Sequence, residues 1–322
     1  MATISIALCT YNGEKYLQEQ LDSFLGQQTL PDEVVICDDR SNDSTVAILE
    51  RFAAAAPFSV RVTVNETNIG SDRNFENAIL LCTGDLIFLS DQDDVWLPQK
   101  IMRMKHEFER DVGLVFSDAE VVDESLQQLG RTLSSLTFDS TTLDDIRNGR
   151  AFHSLLNQNF VTGATAAFRA SLRPLIDPMP AGIPNLIHDG WIALSLARST
   201  RVSFVDEKLI KYRQHGSQQV GLRLPEAEGR RKHFESTTLY LERDVERLRK
   251  LKDIFDDDLD LGKKIDELIA DKKDYLDHCR VRMNLPAGRV DRVTPVIVEL
   301  FSGRYGRFSA GIRSAVKDII EG

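Results

Sequence analysis

The sequence predicts an α/β protein, a mainly parallel sheet flanked by helices and continued into a helical C-terminal extension. Three observations predict it. Over the first 115 residues, short β-rich apolar runs alternate with amphipathic stretches of helix length, the pattern of strand–crossover–strand units. Clusters of polar residues follow several of those runs directly, at the strand ends where sheets of this kind gather ligands. From about Pro225 the pattern changes to long charged helices with one apolar face.

Residues 4 to 9 form the first strand, and Gly13 opens a helical pattern through Tyr16, Leu17, Leu21, Phe24 and Leu25. After Pro31, the run Glu33-Val34-Val35-Ile36-Cys37 makes a second strand ending in Asp38-Asp39. Asn42-Asp43-Ser44 is expected to cap a helix carrying Val46, Ile48, Leu49 and Phe52. Val60 to Val64 alternates as a third strand, and Asn68-Ile69-Gly70-Ser71 turns into a helix through Phe75, Ala78, Ile79 and Leu81 that ends at Gly84. The apolar strand Leu86-Ile87-Phe88-Leu89 then delivers its end into Asp91-Gln92-Asp93-Asp94. Gly113 to Phe116 reads as a further strand, 123–150 as loop, and Asn159 to Phe168 as a β-prone run interrupted by Gly163. A helix begins just after His188-Asp189-Gly190-Trp191, and Val202 to Val205 with the segment Ile210 to His215 completes the core. The expected organisation is one domain over 1–224, with a donor half at about 1–115 and an acceptor half at about 116–224, followed by a helical region over 225–322.

Composition narrows the function. With 42% hydrophobic and 28% charged residues the chain is of globular type, and no apolar run is long enough to cross a bilayer. A formal charge of -10 argues against a general nucleic-acid binder. The distribution is uneven, because Arg280 to Gly322 carries eight Lys/Arg against four Asp/Glu. Cys9, Cys37, Cys82 and Cys279 lack zinc-like or redox-like spacing and read as small buried hydrophobes. The N-terminus lacks the features of a signal peptide, so a cytoplasmic location is expected.

The acidic run carries the chemistry. Three carboxylates within four residues repel one another unless a cation neutralises them, and a hard ion such as Mg²⁺ or Mn²⁺ shares its oxygen ligands between one or two carboxylates and substrate phosphates. Asp91 and Asp93 fit that role, whereas Asp94 reads either as a further ligand or as the cap of the helix after Pro98.

Four ordered motifs now carry a resemblance: Leu8-Cys9-Thr10-Tyr11-Asn12-Gly13, Ile36-Cys37-Asp38-Asp39-Arg40-Ser41-Asn42-Asp43-Ser44-Thr45, Asn68-Ile69-Gly70, and Asp91-Gln92-Asp93-Asp94. Together they resemble the motif set of the family 2 glycosyltransferases, inverting enzymes of the GT-A fold, over residues 4 to about 220. The resemblance implies a nucleotide–donor set of Thr10, Tyr11, Asn12, Asp38, Asp39, Arg73, Asp91, Gln92, Gly163 and Arg213. Within it, Tyr11 resembles a base-stacking residue, Asp39 the acceptor of a pyrimidine N3–H, and Asp38 a supporting contact. It further implies that Asp93, with Asp91 and His215, holds the metal, and that Asp189 is the general base. Plainer readings stand beside these: Tyr11 as an amphipathic aromatic at a strand end, Arg73 as a solvated helix-start residue, Asp189 as a helix cap, His215 as a structural histidine, and Gly163 as a strand bulge.

Tyr212-Arg213-Gln214-His215-Gly216-Ser217 resembles the site-closing segment of bacterial members. The tail from Phe301, which interleaves aromatic and basic residues before an amphipathic helix, resembles that of bacterial rhamnosyltransferases. The implied donor is dTDP-L-rhamnose, with a UDP-hexose or UDP-N-acetylhexosamine as the alternative. The implied acceptor is a cell-surface glycan or a lipid-linked precursor. The tail, 301–322, is expected either to lie on the inner face of the membrane or to pack on the core as a helix, and a homodimer is compatible with the reading. A non-catalytic nucleotide-sugar-binding scaffold would need the donor motifs without Asp189. A nucleotidyltransferase would need a Gly-rich, Lys-containing phosphate loop that the N-terminal region does not have.

Overall fold

The computed structural model describes residues 2–216, 218 and 230–320. Ser217 and the boundary expected at 224/225 lie outside the described residues. The chain divides into two compact units, Met1–Ala181 with Leu186–Leu222, and Gly182–Asn185 with Arg223–Gly322.

The first unit opens as the alternation predicts: β1 (Ile4–Thr10), α1 (Leu17–Leu25), β2 (Glu33–Asp38), α2 (Thr45–Ala55), β3 (Ser59–Val64), α3 (Ser71–Leu81) and β4 (Leu86–Ser90). These four strands are mutually parallel in the order β3-β2-β1-β4. β1, β2 and β4 are buried at every residue, which is why they read as unbroken apolar runs, whereas the edge strand β3 is half-exposed and alternates. Register aligns Thr10 with Asp38 and Leu8 with Ser90, so the polar ends of β1, β2 and β4 share one edge of the sheet. Leu8, Ile36, Phe88, Phe24 and Trp96 fill the core between sheet and helices. Truncating Phe88 to Ala there would cost about 3–5 kcal/mol.

The second half departs from expectation. β5 (Val95–Trp96) and α4 (Lys100–Glu107) follow the acidic run, and β6 (Leu114–Val122) is longer than expected. The stretch 123–150 is not loop, since it forms β7 (Gln128–Thr132), α5 (Leu133–Thr137) and α6 (Thr142–Arg147). α7 (Ala151–Asn157) precedes a 3₁₀ turn at Gly163–Thr165, and β8 begins only at Ala166 and ends at Arg169. α8 (His188–Ser199) starts at His188 itself, and one strand, β9 (Val202–Arg213), replaces the two expected segments. β8 runs antiparallel between β4 and β6, β9 lies parallel to β6, and β5 adds to β9 at the far edge. The caps differ too. Ser44 makes no side-chain cap, and Asp43 Oδ1 takes the Thr45 N–H instead at 3.0 Å.

The second unit is helical: α9 (Arg230–Ile254), α10 (Leu259–Met283), α11 (Arg289–Phe301), α12 (Arg304–Phe308) and α13 (Ile312–Ile320). α9 and α10 pack along Phe234, Leu241, Leu276 and Cys279, and α11 to α13 close around Val296, Tyr305 and Ala315. A buried charged cluster ties this unit together. Asp318 accepts from Arg282 Nε at 2.7 Å, Arg230 at 2.7 Å and the Tyr305 hydroxyl at 2.6 Å.

Candidate active site

Short polar side chains lock the strand-end loops to one another. Asp38, fully buried at the end of β2, accepts from the Thr10 hydroxyl at 2.7 Å and from the Ser41 N–H and hydroxyl at 2.8 and 2.6 Å. Asn12, at a left-handed φ of 47°, accepts the Asn42 N–H and donates its own N–H to Ser41. Gln92 bridges β4 to β1: its amide accepts from Tyr11 N at 2.8 Å and donates to Tyr11 O at 3.0 Å. Gln92 thereby clamps Tyr11 and keeps one N–H donor and one acceptor position of its amide for a further partner. Gly13 permits the clamp, because a Cβ there would sit 2.3 Å from Gln92 Oε1. The ring of Tyr11, 37% exposed, is left at the mouth of the strand ends.

Asp39 anchors the turn before α3. Its Oδ1 accepts from Ile69 N at 2.8 Å and Asn65 Nδ2 at 3.0 Å, and its Oδ2 from Gly70 N at 2.9 Å. A carboxylate offers about four acceptor positions, so one, on Oδ2, is left for a further donor. Gly70 takes φ 84° to bring its N–H in, a conformation that glycine adopts without strain.

The acidic run spreads its three carboxyls into different environments. Burial, and then the Asp93 carboxylate, push Asp91 up to about 7. Asp93 Oδ2 lies 2.8 Å from His215 Nε2, with both side chains largely buried. Asp94 caps no helix, since Gln99 occupies the position before α4. It is buried, with Oδ1 on Arg213 N at 3.0 Å, Oδ2 without a hydrogen-bond partner, and its carboxyl pushed well up by burial and by Asp93. Lys100, which sequence reasoning missed, lies fully buried below, donating to Ala164 O at 2.6 Å over the Trp96 ring, and burial holds its pKa well below that of an ordinary lysine.

Arg213 departs from the phosphate contact expected of it. At 1% exposure its guanidinium gives Nε to Asp93 O at 2.7 Å and Nη1 to Glu124 O at 2.6 Å, pairs with Glu19, and lies over the Tyr16 ring. With those donors committed inside the protein, Arg213 fixes the Asp93 loop.

The donor chemistry fits a hard divalent cation. Asp93 contributes an oxygen and His215 a nitrogen at one point, and the Asp91 carboxyl, two residues before Asp93, is pushed up to about 7 by burial and by Asp93. Among the described residues no three His, Cys, Asp or Glu side chains form a full cage. Asp93 and His215 would supply only part of a coordination shell, the rest falling to substrate or water as in Mg²⁺ sites built on one or two carboxylates.

Asp189 lies in the first turn of α8, after the cap position held by Ile187. Its Oδ2 accepts from Gly163 N at 3.1 Å, and its Oδ1 from Gly190 N at 2.5 Å and Asn159 at 3.3 Å. Burial raises its pKa, and His188 and the two N–H groups restrain the rise. Gly163 begins the 3₁₀ turn, with no strand bulge there, and a Cβ on it would stand 3.2 Å from both Asp189 Cβ and His188 Nε2. The His188 ring stacks on Phe75 at 3.9 Å, and its backbone N–H donates to Asp72 Oδ1 at 2.8 Å. Burial opposes its protonation, but Asp72, Asp189 and Asp91 outweigh that and raise its pKa. Asp72 and Phe75 therefore join α3 to α8, a link the sequence did not signal. Arg73, at the same helix start, is half-exposed and pairs with Glu76. The charges of Asp93, His188 and Asp189 all act on the Asp91 carboxyl, Asp93 and Asp189 raising its pKa and His188 lowering it. A separate cavity of about 330 Å³ lies at the opposite edge of the sheet, near Val112 and Val202, and is no part of this cluster.

Residues 5–173 match the model of glycosyl transferase family 2. An uncharacterized protein of Mycobacterium tuberculosis is 29% identical over 216 residues, which are 66% of this chain and 59% of that relative's length. The dTDP-rhamnosyl transferase RfbG of Shigella flexneri is 28% identical over 226 residues, 66% of this chain and 73% of its own. The mannosyltransferase PcManGT of Pyrobaculum calidifontis, solved with GDP-Man and Mn²⁺, superposes with a TM-score of 0.53 at 15% identity over 99% of this chain and 88% of its own, which shows a GT-A-like fold. No helix among the described residues is long and apolar enough to cross a membrane.

Proposed function

The chain belongs to glycosyl transferase family 2, and from that footing we propose that it is an inverting transferase, dependent on Mg²⁺ or Mn²⁺, that moves a sugar from a nucleoside diphosphate to a hydroxyl of a cell-surface glycan or lipid-linked precursor at the cytoplasmic face of the membrane. The observation that carries the reading is the pairing of Asp93 Oδ2 with His215 Nε2 at 2.8 Å just after β4, together with the Asp189 carboxylate held by Gly163 N at 3.1 Å and Gly190 N at 2.5 Å.

In this mechanism Tyr11 stacks on the base, and the remaining acceptor on Asp39 Oδ2 takes the pyrimidine N3–H. Thr10, Asp38 and Asn12 hold those loops in place, and Arg73 stands at the rim of the nucleotide. Asp93 and His215 would hold the metal, with Asp91 as its neighbour toward the ribose. When bound, the ion supplies counter-charge for the departing diphosphate. Asp189 takes the proton of the acceptor hydroxyl while that oxygen bonds to the anomeric carbon, and the sugar–phosphate bond breaks with its electron pair on the diphosphate. Gly163 and Asn159 aim the Asp189 carboxylate, and its raised pKa strengthens it as a base. A dTDP-L-rhamnose donor is the first choice, supported by the likeness to RfbG, and UDP-hexoses or UDP-N-acetylhexosamines are the alternatives.

Nucleoside diphosphate release with a panel of dTDP- and UDP-sugars, with and without a chelator, tests the reading. Asp189→Asn should lower turnover about 10²–10⁴-fold with donor affinity unchanged. Equal turnover in both proteins would remove Asp189 from the base role. No release with any donor would favour a sugar-nucleotide-binding scaffold, and pyrophosphate release a nucleotidyl transfer.

A further inference from the structure

The second unit carries an outward surface that its own packing does not use. Of the aromatic and basic residues of 304–308, the part of the tail that the sequence singled out for the membrane, Tyr305 and Phe308 turn inward, and Arg307, half-exposed, is held in ion pairs. Tyr305 is buried with its hydroxyl on Asp318 at 2.6 Å, and Phe308 stacks on Tyr275 at 4.7 Å. Arg304 and Arg307 each pair with Asp274 at 2.7 Å. What faces outward instead is apolar. On α11, Val290, Ile297 and Phe301 recur at helical spacing, with Val290 83% and Phe301 88% exposed. On the adjoining α13, Ile312, Val316 and Ile320 form a second stripe, with Ile312 69% exposed. Side chains of that size are seldom left in water without a partner surface.

Charge selects the partner. Glu299 and Asp318 are buried, held by His278 at 2.8 Å and by Arg282 at 2.7 Å, so neither projects into solvent. Arg289, Arg313 and Lys317 are exposed beside the stripes, and Asp291 is the one exposed acid among described residues 289–320. A positive rim on a chain of net charge -10 is complementary to anionic headgroups, whereas a second copy would bring the same cations against themselves. We propose that α11 and α13 dock this unit on an anionic bilayer, the stripes entering the headgroup–acyl boundary and Arg289, Arg313 and Lys317 meeting lipid phosphates. The proposal goes beyond the transferase reading and does not depend on it.

Sedimentation of the full chain with phosphatidylcholine vesicles, with and without phosphatidylglycerol, tests it. The wild type should bind the anionic vesicles and leave the neutral ones. Arg289→Gln with Arg313→Gln should weaken binding by about 25-fold, roughly fivefold per charge, and Phe301→Asp with Ile312→Asp should abolish it. These positions are exposed, and circular dichroism and the melting temperature confirm that each variant is folded. Three results would overturn the proposal: absence of wild-type binding, equal binding by wild type and variants, or a wild-type dimer that Phe301→Asp dissolves with no vesicle binding.

Discussion

Asp189 owes its state to its neighbours, and they can be tested one at a time. His188 restrains the rise that burial imposes on the Asp189 pKa, so replacing it with Phe, which keeps a ring against Phe75, releases that restraint. In the proposed mechanism Asp189 must be ionised to take a proton. The acid limb of the pH–kcat/KM profile should therefore move to higher pH in His188→Phe, and an unmoved limb would leave His188 a packing role only. Gly163→Ala puts a methyl group 3.2 Å from Asp189 Cβ and from His188 Nε2, and kcat should fall about tenfold with donor affinity unchanged, since a small misplacement of a reacting group is costly. The residues legible in the sequence were those that follow an apolar run directly: Thr10, Asp38, Asp39, Asp91 and Asp93. Glu19, Asp72 and Lys100 carried no such mark, because their partners Arg213, His188 and Ala164 lie more than 60 positions away and only the folded chain brings them together. The resemblance put Arg213 in the nucleotide–donor set, and Asp94 read as a further ligand or a helix cap, yet both lie buried with Arg213 N on Asp94 Oδ1 at 3.0 Å.

At the scale of elements, Glu33 ties together the strand starts at the edge of the sheet opposite the site. Its carboxylate accepts from the Ser5 hydroxyl on β1 at 2.6 Å, from Arg61 on β3 at 2.7 Å and from Thr83 N before β4 at 2.6 Å. Burial works to raise its pKa, but these donors prevail and bring it from the ordinary 4.5 to about 2. A carboxyl whose pKa is depressed by folding stabilises the protein above its unfolded pKa, and that contribution disappears as pH falls through the folded one. Melting temperatures measured from pH 5 to pH 2 should drop less steeply in Glu33→Gln than in the wild type. Parallel slopes would show that Glu33 does not carry the acid sensitivity. The alternation that announced β1 to β4 was readable because those elements are long and buried through. α5 and α6 have five and six residues, too few turns for a helical period to register, and the exposed Asp206 and Lys208 within β9 imitated a break between two strands.

On the scale of the molecule, the two units rely on different forces. The first is held by an apolar core under its sheet, and the second draws heavily on one buried carboxylate, Asp318, with Arg230, Arg282 and Tyr305 around it. Removing one partner of such a cluster strands the others, so Asp318→Ala should destabilise the second unit by about 3 kcal/mol in denaturant unfolding, while Asp291→Ala, exposed on α11, should change little. The position of Arg213 has a consequence for synthesis. A nascent chain that has emerged through β6 already contains the strand-end motifs and the acidic run, yet Asp93 and Asp94 lack the group that sets them, because their brace comes from the last residue of the last strand. His215, two residues later, arrives with it. The ribosome thus delivers the sheet first and its competence last, and a chain interrupted before residue 213 would display the motifs of a transferase without sequestering a metal or a sugar nucleotide.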